Sequence, residues 1–148
     1  MYHPQKLAWT CGPSALRNAL SNLGIKQSEE SLAALLKTNV FRGTYSKNFG
    51  KAAKSFNLDY LEFENTTLDC IQKLIWNEYQ VLTCFYIPEE YLDHYTLIKS
   101  ITRQEVVFQD PHFGDNYSLP LDTFYENWFL DPHYECGQKW LFAIKKQK

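Results

Sequence analysis

The chain of 148 residues reads as an α+β domain, helices first and an antiparallel sheet second. Two observations predict this. Apolar residues recur at helical spacing over the first half, and the period then shortens to runs rich in β-branched and aromatic residues. A third, 45% hydrophobic residues with 22% charged and no linker or repeat, makes residues 1–148 a single domain.

The first helix follows TCGP. Leu16, Ala19, Leu20 and Leu23 share one face, Pro13 suits the first helical position, and Gly24 the stop. The second spans about 28–37, with Ser28 as N-cap and Leu32, Leu35 and Leu36 buried. The third, about 44–56, carries the stripe Phe49, Ala52, Ala53, Phe56. A fourth starts at Thr66, three residues before Asp69, and buries Leu68, Ile71 and Ile75. Strands follow at 81–87, 94–101, 105–110 and 139–146, with a short helix at 121–128 between the last two. Only Thr102, Arg103 and Gln104 separate the second and third strands, which predicts a hairpin. The helical and sheet halves are expected to pack with a crevice between them.

The charge balance excludes several classes. Fifteen Lys and Arg against seventeen Asp and Glu leave a net −2, no general field for phosphate backbones or anionic lipid. The apolar runs at 32–36 and 140–144 are far short of the ~18–20 residues of a membrane helix. MYHPQKLAWTCG has no apolar stretch of the signal-peptide kind, so a cytoplasmic location is expected. Cys11, Cys70, Cys84 and Cys136 form no C-x-x-C pair and are too few for a disulfide framework. Cys70 and Cys84 are expected in the core.

Cys11 lies just before the predicted first helix, where free N–H groups and the helix dipole favour a thiolate. A dipole alone is insufficient. Activating a free thiol by about three pKa units takes on the order of 4 kcal/mol, and a helix end supplies at most ~2. A second cation must contribute, usually a histidine; otherwise Cys11 is simply a small buried hydrophobe. His94 opens a strand at the edge of the crevice. Its neighbour Asp93 points to the opposite face and cannot orient it. Asp110 can, because the start of one hairpin strand lies opposite the end of the next. The alternatives are a surface histidine and, for Asp110, a turn former before Pro111. Gln5, six residues before Cys11, could offer its side-chain amide to a developing oxyanion, with the Cys11 backbone N–H as the second donor.

Gln5, CGPSALRNAL, NVFRGTYSKNFGKAAKSFNL, HYTLIKSI and FQDPHFG follow in an order that resembles the bacteriocin-processing cysteine peptidases. These are papain-like domains that cleave double-glycine leaders and are often fused to a transporter. The likeness runs from about Gln5 to Trp128 and implies a two-lobed fold, the helical lobe carrying the cysteine and the sheet lobe the histidine. It further implies Cys11 as nucleophile, His94 as general base and acid, Asp110 as orienting residue and Gln5 as oxyanion donor. Two departures bear on the substrate: Thr10 stands where relatives commonly have an acidic residue, and no phosphate-loop motif accompanies the domain.

The expected substrate is therefore a peptide or protein, with no nucleic acid, no membrane insertion, no cofactor and, as a partner, a separate transporter. Amide transfer or deamidation on the same scaffold, or peptide binding without catalysis, are the competing readings. Trp9, Gly43, Thr44 and Tyr95 are candidates for substrate contact, and Phe41, Tyr45 and Tyr91 for lining the cleft. A metal site drawn from His112, Asp131, His133 and Cys136 has weaker support than two solvent-facing turns, and Asp131 ranks below Asp110 as partner to His94.

Overall fold

The computed structural model describes residues 1–90, 92–129 and 138–148. Its elements are α1 (Cys11–Asn22), α2 (Glu29–Leu35), α3 (Asn48–Ser55), β1 (Leu58–Phe63), α4 (Leu68–Trp76), β2 (Gln80–Ile87), β3 (Leu92–Ile101), β4 (Glu105–Asp110), β5 (Gly114–Pro120), α5 (Leu121–Asn127) and β6 (Leu141–Lys146). The strands form one antiparallel sheet in the order β1-β6-β2-β3-β4-β5.

Strand alternation gives the sheet two apolar faces. Leu82, Cys84, Tyr95, Leu97, Phe142 and Ile144 pack against Leu16, Leu20 and Phe49 of the N-terminal helices. Val81, Phe85, Ile98, Val106 and Phe108 pack on the other side with Ile71 and Leu74 of α4 and Phe124 of α5. Phe49 is a central knob, its ring 5.1 Å from Tyr95, 5.7 Å from Trp140 and 5.6 Å from Phe142. The expected α+β order therefore stands, with helices on both faces of the sheet.

Several boundaries differ from the sequence expectations. α1 begins at Cys11, so Cys11 is its first helical residue and Pro13 its third. Proline is tolerated there because a first-turn N–H has no intrahelical partner. α3 starts at Asn48 rather than near Thr44, because residues 44–47 are held elsewhere: the Thr44 carbonyl accepts from Tyr95 (2.8 Å), and the Thr44 hydroxyl bonds Thr38 (2.6 Å). Thr67, not Thr66, caps α4 through the Cys70 N–H, at 3.0 Å. β6 starts at Leu141, since Lys139 has a positive φ of 48°. β1 and β5 were not expected. β1 has one fully buried residue, Leu58, and β5 none, so neither carries an apolar run.

The N-terminal arm is tied to both halves. The His3 backbone exchanges hydrogen bonds with the Asn18 side chain (2.7 and 2.9 Å) and accepts one from Ser14 (3.0 Å). Tyr2 donates to the Asp110 carbonyl at 2.5 Å, and the Gln5 N–H to that of Pro111 at 2.8 Å. The N-terminus of α1 is thereby fixed against the β4–β5 corner.

Gly12, beside Cys11, faces Thr44 so closely that an added Cβ would stand 2.4 Å from Thr44 Oγ1 and 2.8 Å from its Cβ. Gly12→Ala should therefore lower the urea unfolding free energy by about 1–3 kcal/mol through overpacking. Thr44→Ala in the same chain should recover part of that loss; strictly additive losses would show that this contact is not the constraint.

Candidate active site

The hairpin register sets the site. Leu97 pairs with Gln109 and Ile98 with Phe108, so continuing the ladder puts Asp110 opposite Thr96 and diagonal to His94. The diagonal is bridged: His94 Nε2 lies 2.9 Å from both Oδ1 and Oδ2 of Asp110. The carboxylate also accepts the N–H groups of His112 and Phe113, each at 2.8 Å to Oδ1, the Asx turn that D-P-H-F encodes. Asp110 is fully buried and His94 is 6% exposed. The imidazole meets the rings of Phe85 at 5.5 Å and Phe113 at 5.7 Å, both edge-on.

Cys11, half-buried and a free thiol, reaches the same imidazole at the N-terminus of α1 and hydrogen-bonds it. Asp110 occupies Nε2. Burial, the largest single influence on His94, opposes its charge. The hydrogen bonds and charges of Asp110 and Cys11 together outweigh it and hold His94 up at about 10. For Asp110, too, burial is the largest influence and pushes upward; the hydrogen bond and charge of His94, with the Phe113 N–H, prevail and keep its carboxyl below the usual range. The arrangement favours an imidazolium beside the Asp110 carboxylate.

Beside Cys11 lies a cleft of about 320 Å3. Of the expected contact residues, Trp9, Gly43, Thr44, Tyr95, Phe41 and Tyr45 all line it, together with Ala8, Val40, Arg42, Cys84, Leu92 and Asp93. His94 and Asp110 do not. Cys84 is both a core residue, as expected, and part of this wall. The 39–43 loop that forms one side is closed by paired backbone bonds between Asn39 and Gly43 (2.8 and 3.2 Å). Gly43 has φ +67°, a conformation that glycine adopts without strain. Gln5 stands apart from the cleft lining. Its amide donates to the carbonyls of Leu7 (2.8 Å) and Ala8 (3.3 Å), and its Oε1 is buried without a partner. Thr10 closes the same turn, donating to the Leu7 carbonyl at 2.9 Å. Tyr91, Asp131, His133 and Cys136 lie outside the described residues. Of the metal candidates, His112 is placed against His94 and Phe113, with ring centroids 6.3 and 4.8 Å away.

Ala8, Val40, Arg42, Cys84, Leu92 and Asp93 are the cleft residues that sequence reasoning missed. For some of them the signal was proximity in the chain, since Val40 precedes the G-T step and Leu92 and Asp93 precede His94.

A family model described as the peptidase C39 family matches residues 2–130. The chain belongs to the peptidase C39 family. Solved structures share its fold at low identity. The peptidase domain of Streptococcus ComA, described as a bi-functional ABC transporter involved in a quorum-sensing pathway, has a TM-score of 0.76 at 18% identity, over 98% of this chain and 97% of that one. A C39-like peptidase from Bacillus anthracis gives 0.79 at 13%, over 100% and 95%. A double-glycine-motif protease from an AMS/PCAT transporter, in complex with its leader peptide, gives 0.73 at 14%, over 99% and 91%. No curated protein matches the chain. The papain-like arrangement is thus the one C39 domains share, and among the described residues no helix is long and apolar enough to cross a membrane.

The pH dependence of stability follows from the signs. His94 has a folded value above its unfolded 6.5, so its contribution is complete below that pH and is lost as pH rises towards about 10. Asp110 is depressed from 3.8, so its contribution is present above that value and lost on acidification. Urea stability of the native chain should fall between pH 6.5 and about 10, and His94→Gln should flatten that fall. An equal or steeper alkaline fall in the variant would contradict the assignment.

Proposed function

We propose that this C39 domain is a cysteine peptidase that cleaves peptide bonds through an acyl-enzyme. In this reading the thiol proton already resides on His94, the Cys11 sulfur attacks the scissile carbonyl, and the imidazolium delivers its proton to the leaving amine. Asp110 holds the imidazole in one orientation and offsets its charge throughout, and water releases the acyl group. The observation that carries the reading is the chain of contacts from the Cys11 thiol through His94 to a fully buried Asp110, at the mouth of a peptide-sized cleft.

The oxyanion forms at the N-terminus of α1, where the Cys11 N–H is one donor. Gln5 is the proposed second. Its bond to Ala8, the longer of its two at 3.3 Å, is the one that an oxyanion would compete with. The substrate class proposed is a leader-bearing or propeptide-bearing chain, supported by the family and by neighbours that belong to peptide-handling transporters. Association with a separate transporter and a cytoplasmic location are part of the same proposal.

Cleavage-site profiling of wild type against Cys11→Ala tests the reading. All cleavage should vanish in the variant, and Asp110→Asn should reduce turnover by roughly 10²–10⁴-fold, as expected when an orienting carboxylate is removed. Cleavage that survives Cys11→Ala would overturn it; a wild-type chain that binds peptides and cleaves none would favour peptide binding, and products carrying an added amine in place of hydrolysis would favour amide transfer.

A further inference from the structure

We infer that the lysine-rimmed hollow at the far end of the sheet from Cys11 is a docking surface for an acidic, apolar-anchored segment of a partner protein. This surface is independent of the peptidase reading.

The hollow encloses about 700 Å3, against about 320 Å3 for the cleft beside Cys11. Four elements end or begin around it: α1 at Asn22, α4 at Trp76, β2 at Gln80 and β6 at Lys146. The strand register explains the convergence. Gln80 pairs with Ile144, so Lys145 and Lys146 run on past the start of β2, over the connection from α4. Cys11 opens α1 and Asn22 closes it, while Lys99 follows His94 by five residues along β3. At ~1.5 Å per helical and ~3.4 Å per strand residue, both routes put the hollow about 17 Å from the reacting groups. Neither Cys11 nor His94 lines it.

Its chemistry joins an apolar wall to a basic rim. Leu23, Ile75 and Tyr79 supply the wall, all half-buried. Lys99, Lys145, Lys146 and Lys148 supply the rim, against one lining carboxylate among the described residues, Glu78. Lys99 is engaged by Asp115 at 3.0 Å and Asn116 at 2.7 Å. Lys145 lies 4.7 Å from the Tyr79 ring, and Lys146 reaches Gly24 at the end of α1. Neither of these two, nor Lys148, forms an ion pair with the described residues. This unpaired positive charge is gathered at one end of a chain whose net charge is −2.

These features select the occupant. Charge complementarity calls for an anion. The rim is built of lysine without arginine, so it offers separate point charges on flexible stems and not the bidentate fork that suits a phosphate. Separate ammonium groups match carboxylates spaced along a peptide. The lysine stems, with Leu23, Ile75 and Tyr79, can cover apolar side chains placed between those carboxylates. A concave hollow also accepts a peptide segment where it would leave the plane of an anionic membrane out of reach.

The test uses the intact chain carrying Cys11→Ala, which removes thiol-dependent cleavage, and three fluorescein-labelled peptides of one length. The first alternates glutamate with leucine, the second has lysine for each glutamate, and the third has serine for each leucine. Fluorescence anisotropy should show the Glu–Leu peptide binding about tenfold or more tightly than either control, and less tightly as salt is raised. Lys145→Glu with Lys146→Glu should weaken that binding by about tenfold or more. Lys145→Gln with Lys146→Gln, which adds no repulsion and guards against a folding defect, should weaken it several-fold. Lys51→Glu with Lys54→Glu, exposed on α3 and outside the hollow, should leave it unchanged. Absence of peptide binding, equal binding of the lysine peptide, or Glu–Leu binding that survives both pairs of changes at 145 and 146 would overturn the proposal. So would inorganic polyphosphate or phosphatidylserine vesicles binding through the same lysines while the peptide does not. None of these outcomes touches the peptidase reading, which the cleavage experiment tests separately.

Discussion

The site is organised around a buried histidine held as a cation between a carboxylate and a sulfur. Removing a charge from water is costly, and burial is the largest single influence on both His94 and Asp110. The pair survives because each lone pair and proton has a partner: both Asp110 oxygens face Nε2, and two backbone N–H groups supplement them. Removing either partner would strand the other, a loss of about 3–5 kcal/mol for buried pairs in general. A hydrophobic pair of the same size would stabilise the fold as well. Retaining the ions makes sense for the chemistry that a poised imidazolium permits at the Cys11 sulfur.

Much of the surrounding structure serves to keep that pair in register. The three-residue connection between β3 and β4 brings Asp110 to the diagonal of His94, and the Asx turn fixes the carboxylate from below. The N-terminal arm then ties the corner to α1 through Tyr2 and Gln5, while Ser14 and Asn18 hold His3. Thr44 serves both lobes at once: its carbonyl binds Tyr95 of β3, and its side chain packs against Gly12 beside Cys11. A shift in either lobe is therefore transmitted to the gap between sulfur and imidazole.

The helices and the central strands were legible because their apolar spacing is unambiguous, and His94 and Asp110 because a short hairpin leaves few registers. β1 and β5 escaped notice for a common reason. Edge strands bury little, so Asp59, Glu62, Asp115 and Asn116 can occupy them without leaving a periodic signature. The start of α3 was misplaced because helical spacing continues back through Thr44, while tertiary bonds from Tyr95 and Thr38 claim that residue first. Cys11 proved to be inside the first turn of α1 and not ahead of it, a change of one or two residues that keeps its N–H free. Gln5 shows what spacing cannot convey: its distance in sequence from Cys11 is informative, but only the fold reveals that its amide is engaged by Leu7 and Ala8.

The central claim concerns one proton, and nitrogen-15 NMR of ring-labelled histidine observes it directly, with His94→Gln supplying the assignment. Near pH 8, well above the ~6.5 of an unperturbed imidazole, both His94 nitrogens should give imidazolium shifts, and neutralisation should begin only towards a value of about 10. A His94 ring that is already neutral there, titrating at or below the unperturbed value, would contradict the account.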